Sequence, residues 1–110
     1  MLAKADLGDP FVGAVTVRVA GEIDMNEADQ LCDVIVAAAG PATIMVVLDL
    51  TGVTFFGSGG ISSLIAARRI LLERDVRLCV DDCSEMVETV LEATGMRAHL
   101  PRSDPSDRPG

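Results

Sequence analysis

The chain has neither tryptophan nor tyrosine and only three phenylalanines, Phe11, Phe55 and Phe56, so its core must be built from Ala, Val, Leu and Ile. It is equally poor in catalytic bases. Lys4 is the sole lysine and His99 the sole histidine, which leaves lysine- and histidine-based catalysis almost without candidates and argues against an enzyme. Basic clusters are missing as well: nine bases against 17 acids give a formal charge of −8. Phosphate backbones are recognised by clustered Lys and Arg that release counterions, so a nucleic-acid partner is not expected. No apolar run approaches the roughly 18 residues of a membrane span, and no basic, apolar and small-residue succession of a secretory signal opens the sequence. The expectation is a cytoplasmic protein without a membrane partner.

Three cysteines, Cys32, Cys79 and Cys83, make an odd set without short metal-ligand spacing. Reduced thiols are expected. A redox pair of Cys79 and Cys83 is the less favoured reading, because a strand end followed by a helix start need not bring the two Cβ atoms together. Asp81, Asp82 and Glu85 fit helix caps and dipole partners better than a metal site. No metal and no cofactor are assigned.

What is present is a single-domain pattern of aliphatic segments; a 110-residue chain buries roughly 60–70% of the surface its unfolded form exposes. Residues 2–7 and 14–19 have strand character and should pair as a hairpin across Asp9-Pro10. Gly21-Glu22-Ile23-Asp24 breaks that alternation. Asp24 or Asn26 can then cap a helix whose apolar positions Ala28, Leu31, Cys32, Ile35, Val36 and Ala39 recur at helical spacing until Gly40-Pro41. A strand over 43–50, apolar on both faces, suits the centre of a sheet covered by helices. The helix expected over 58–73 should bury Ile61, Leu64, Ile65, Leu71 and Leu72, with Arg68 and Arg69 in solvent. Residues 76–80 form a further strand, Ser84 caps a third helix presenting Met86, Val87, Val90 and Leu91, and a last strand is expected at 98–100. Residues 101–110, with three prolines and no aliphatic side chain, read as a disordered tail after a domain of residues 1–100.

The sequence joins its central strand to its second helix through Asp49-Leu-Thr-Gly-Val-Thr-Phe-Phe-Gly-Ser-Gly-Gly-Ile61. Ser58 stands at the mouth of that helix among Gly57, Gly59 and Gly60. There the N–H groups lack intrahelical partners and the dipole favours negative charge, so a phosphate on the hydroxyl would meet several donors. Local sequence alone favours the plainer role of a helix N-cap. Asp24, likewise, is more often a cap than a recognition residue. Met25, Phe56 and Ile61 are expected to form an apolar ring around the hydroxyl for a partner to bury.

Gly21-Glu22-Ile23-Asp24 ahead of its helix, followed by the Asp49–Ile61 segment running into Leu64-Ile65-Ala66-Ala67-Arg68-Arg69, resembles the STAS domain of bacterial anti-sigma factor antagonists. Gly95 after the third helix fits as well. The resemblance spans about residues 1–100. It implies an α/β fold, a mixed sheet of four to five strands with helices packed against it. It also implies a partner-switching function. Such antagonists, when unphosphorylated, bind an anti-sigma factor kinase, are phosphorylated by it with ATP and Mg²⁺, and are restored by a phosphatase. Ser58 matches the acceptor. Asp24 matches an acidic partner-binding position, with Met25, Phe56, Gly57, Gly59, Gly60 and Ile61 around them. Where the family usually carries Asp before the acceptor and Ser or Thr after it, this chain has Gly57 and Gly59.

Three other readings compete. One is a STAS interaction module that is not phosphorylated. Another is a small-anion or nucleotide-binding module, although the glycine-rich turn lacks a P-loop lysine and the dinucleotide spacing. The third is a receiver domain with Asp49 as acceptor, which lacks the acidic pair after the first strand and the late lysine that a receiver needs.

Overall fold

The structure is a computed structural model that describes residues 2–6 and 13–103. Strand β1 (Leu2–Asp6) pairs antiparallel with β2 (Ala14–Ile23), which runs parallel to β3 (Met45–Phe56), and β3 runs parallel to β4 (Arg77–Cys83). Among the described residues the sheet order is β1-β2-β3-β4. The expected hairpin of the first two strands is therefore present. Parallel neighbours need crossover connections, and helices α1 (Ala28–Ala38) and α2 (Ser58–Leu72) supply them, with α3 (Glu85–Ala93) following β4. This is one α/β domain with a mixed four-stranded sheet.

The pattern of apolar residues explains the layering. Val15, Val17 and Val19 of β2, Val46, Leu48 and Leu50 of β3 and Leu78 and Val80 of β4 turn to one face of the sheet. There they meet Leu31 and Ile35 of α1, Leu64, Ala67 and Leu71 of α2, and Val87 and Leu91 of α3 in one buried cluster. Each of the Val, Leu and Ile side chains among them is worth about 1.5–3 kcal/mol when removed from water. Met45, Val47 and Cys79 form a smaller buried group through the alternate positions. Cys83 packs instead against the main cluster, so the two cysteines of β4 belong to different apolar groups.

Several elements differ from expectation. β2 does not stop at Val19: Gly21 takes φ 93°, a value side chains disfavour, and lets the strand continue through register shifts to Ile23. β3 runs past Leu50 to Phe56 because β2 remains beside it to Ile23. Ile65 and Leu72 are exposed on the outer side of α2. The strand expected at 98–100 is absent. A 3₁₀ turn, Met96–Ala98, stands there and carries Leu100 into the core.

Residues 101–103 lie against β4. Val80 N–H donates to the Pro101 carbonyl, Ser103 donates from its N–H and hydroxyl to the two Asp81 carboxylate oxygens at 2.5 and 2.6 Å, and Arg102 bonds the Asp81 carbonyl. Arg97 bridges Glu88 at 3.3 Å and also donates to the carbonyls of Val80 and Leu100. The rest of the expected tail, 104–110, lies outside the described residues, as do Leu7, Asp9-Pro10 and Phe11.

Candidate functional site

Because β2 and β3 are parallel, their C-terminal ends arrive side by side, and Ile23 opposite Phe56 is their last registered pair. One further bond, from Gly57 N–H to the Ile23 carbonyl at 3.0 Å, ties the ends together before the chains part. β2 leads into a turn at 24–27 and β3 into α2. The ends of parallel strands, where backbone leaves the sheet, are the usual place for a site in α/β folds.

Asp24 organises the turn. Its side chain accepts from Asn26 N–H at 2.9 Å, its carbonyl accepts from Glu27 N–H at 3.2 Å, and its own N–H donates to the Glu27 carboxylate at 3.1 Å. Neither Asp24 nor Asn26 is the N-cap. Glu27 holds that position without a side-chain capping bond, since the tight turn spends Asp24 on itself one turn earlier. The Asp24 carboxyl lies below its ordinary value, first through a side-chain hydrogen bond shared with Glu27 and second through the Asn26 N–H, with desolvation acting against them.

The turn sits directly on the start of α2. A Cβ placed on Gly59 would lie 2.5 Å from the Asp24 carbonyl oxygen and 2.8 Å from Met25 Cα. Only a glycine allows that approach. It accounts for the missing side chain after Ser58, since the turn backbone fills the space that side chain would need. Gly60 is similarly filled, by the Phe56 ring at 2.5 Å from a hypothetical Cβ. Gly59 and Gly60 are both buried, and act on the surface through the backbone they bring together.

Ser58 is exposed as the first residue of α2, and Gly57 is the N-cap. The simple capping role is therefore not observed: Ser58 Oγ points to the Met25 sulfur, 3.7 Å away. Ser63 shows the contrast, buried with its hydroxyl donated to the Gly60 carbonyl at 2.8 Å. No acid occupies the first turn of α2, so nothing of this helix offsets the positive end of its dipole.

Of the apolar ring expected around the hydroxyl, Met25 alone is exposed. Met25 is 72% exposed, but Phe56 is only 4% exposed and belongs to the core, and Ile61 is half-buried against that core. Phe55, 49% exposed, takes the place expected for Phe56; its ring lies 3.0 Å from where a Gly57 Cβ would stand. Strict alternation is lost after Leu50, where Val53 and then Phe56 are buried while Gly52, Thr54 and Phe55 are exposed, and Phe56 turns inward where Gly60 leaves room for its ring.

The other candidates do not converge. Asp49 lies within β3, pairs with Arg18 at 3.7 Å and accepts from Thr51 N–H and hydroxyl, unlike a free acceptor at a strand end. Asp81 is engaged by Ser103. Among the described residues no group of three or more His, Cys, Asp and Glu is disposed to hold a metal, and no helix is long and apolar enough to cross a membrane.

Fold and site thus define an α/β domain that displays a serine where a parallel strand passes into a helix. The chain belongs to the STAS domain family: the family model described as Mlab, STAS domain matches residues 12–101. No curated protein matches it in sequence. Solved structures do. An anti-sigma factor antagonist from Mycobacterium paratuberculosis is 27% identical with a TM-score of 0.76, over 96% of this chain and 88% of that one. The anti-sigma factor antagonist SpoIIAA in its unphosphorylated form is 17% identical with a TM-score of 0.72, over 96% and 91%. A sulfate transporter family protein from Wolinella succinogenes is 18% identical with a TM-score of 0.68, over 81% and 72%. The last two likenesses concern the fold alone.

Proposed function

We propose that this chain is a non-enzymatic partner-switching protein of the anti-sigma factor antagonist type. Its unphosphorylated Ser58 face binds an anti-sigma factor kinase in the cytoplasm, phosphorylation of Ser58 by that kinase releases it, and a phosphatase restores it. One observation carries the reading. An exposed hydroxyl stands at the start of α2, free of a capping role, with the exposed Met25 sulfur 3.7 Å away and the exposed Phe55 ring beside the preceding Gly57. The two anti-sigma factor antagonists of similar fold support it. The physics of release is simple: a phosphate adds about −1.5 to −2 charges at pH 7, which at the centre of an interface brings desolvation and repulsion on a chain already at −8. Asp24, beside the hydroxyl through Met25, contributes a carboxylate to the same surface.

A second reading is a STAS module that binds its partner without being phosphorylated. The glycine at position 57 favours it, because no carboxylate precedes Ser58 to orient the loop or an incoming kinase. A pull-down from the native host, followed by incubation of the captured kinase with ATP and mass-spectrometric mapping, separates the two. The switch predicts phosphate on Ser58 and none on Ser58→Ala. Capture by Ser58→Asp should be at least about tenfold weaker, since a charge buried unpaired at an interface costs more than 1.4 kcal/mol. Capture without any Ser58 phosphate would leave the second reading, and equal capture of Ser58→Asp would exclude the charge mechanism.

A further inference from the structure

Met25 is both the most exposed large apolar side chain among the described residues, at 72%, and the one whose sulfur faces Ser58 Oγ at 3.7 Å. The other described methionines are better protected: Met45 and Met96 are buried, and Met86 exposes half as much as Met25. The thiols are shielded too. Cys79 is buried, while Cys32 and Cys83 are half-buried; burial, aided by Asp33 and Asp29 at Cys32 and by Glu88 at Cys83, raises both thiols and keeps them in the poorly reactive protonated form. An oxidant reaching this surface meets the Met25 thioether first.

We propose that Met25 is a site of reversible oxidation to the sulfoxide, and that this modification controls Ser58. With a peroxide as oxidant, the sulfur lone pair attacks one peroxide oxygen. The O–O bond breaks as the S–O bond forms, sulfur loses two electrons, and the departing oxygen leaves as water or alcohol after taking a proton. The thioether sulfur is a weak hydrogen-bond acceptor, whereas a sulfoxide oxygen is a strong one. Formed beside Ser58, it accepts a hydrogen bond from the hydroxyl and tethers the serine to the 24–27 turn. It also places a polar group where the Met25 tip was apolar. Both changes oppose docking at this surface, and reduction by methionine sulfoxide reductases reverses them. The chemical step stands by itself, and only its consequence for a partner rests on the function proposed above.

The test treats the full chain with hydrogen peroxide and follows it by peptide mass mapping and by amide NMR. Met25 should gain one oxygen at least about threefold faster than Met86, as exposure governs susceptibility. The Ser58 and Gly59 amides should shift as Met25 is oxidised, return on treatment with the reductases for both sulfoxide epimers, and stay in place in peroxide-treated Met25→Leu. Met86 oxidised as fast as Met25, or Ser58 and Gly59 amides unmoved at full Met25 oxidation, would overturn the proposal with or without a known kinase. Where a kinase has been captured, oxidised protein should bind it several-fold more weakly and recover on reduction. Unchanged capture would overturn the control of Ser58.

Discussion

Ser58 and its two neighbouring glycines are alike in sequence and unlike in physical role. Gly57 has φ −92° and ψ −168°, extended backbone open to any residue, and its nearest neighbour is the exposed and movable Phe55 ring. Gly57→Asp should therefore fold normally. Aspartate is a good N-cap, so the variant should gain a few tenths of a kcal/mol. It also restores the carboxylate usual in the family, so faster phosphate transfer to Ser58 by the captured kinase is the expected outcome of a time course. Gly59→Ala behaves in the opposite way. Its Cβ meets backbone rather than a flexible side chain, and the overpacking should cost about 1–3 kcal/mol, read as a lower urea midpoint. Ser58→Ala, by contrast, should lie within about 0.5 kcal/mol of the parent, as expected for an exposed side chain that caps nothing.

At the scale of the element, the 24–27 turn is the part of the site with a pH response. The folded Asp24 carboxyl lies below its ordinary value. Its contribution is therefore complete above the unfolded carboxylate value of about 3.9 and is lost as pH falls through the lower folded value. The Asn26 amide, which donates to Asp24, should report this as an NMR shift confined to acid pH. Asp24→Asn should abolish that titration. An Asn26 amide that titrates identically in both proteins would mean that another group drives it. Near neutral pH the turn keeps its shape, so any pH dependence of partner capture there must originate in the partner or in another element.

For the whole molecule, the site is a product of the sheet. Leu48, fully buried in β3 between β2 and β4, holds the strand whose end carries Phe55, Gly57 and Ser58. Leu48→Ala should cost about 2–5 kcal/mol in urea unfolding. Comparing it with Ser58→Ala separates loss of fold from loss of function, since the second should lose phosphate transfer while keeping the parent's unfolding curve. The charge of −8 acts at this scale too: raising salt should reduce the penalty of Ser58→Asp in partner capture, because screening acts on charges that the interface leaves near water.

Much of this was legible in the residues themselves. The aliphatic alternation of β2, the helical spacing of Leu31 and Ile35, the doubly buried run of β3 and the glycine-flanked Ser58 are local patterns, and the STAS resemblance rested on motifs written in the chain. Periodicity alone did not give the ends of elements or which of two adjacent rings faces out. Ile23 and Phe56 extend their strands because each has the other beside it, and Phe56 turns inward because Gly60 leaves room for its ring. Leu100 reaches the core through a 3₁₀ turn rather than a strand, and Asp24 serves its own turn rather than the helix that follows. Sequence determined the layers, the order of elements and the position of the hydroxyl, since these follow from local spacing and from burial of apolar faces. Tertiary structure decided the surface around that hydroxyl: Met25 is brought to Ser58, and Gly59 under the Asp24 carbonyl, only when two parallel strands separated by a helix end at the same level.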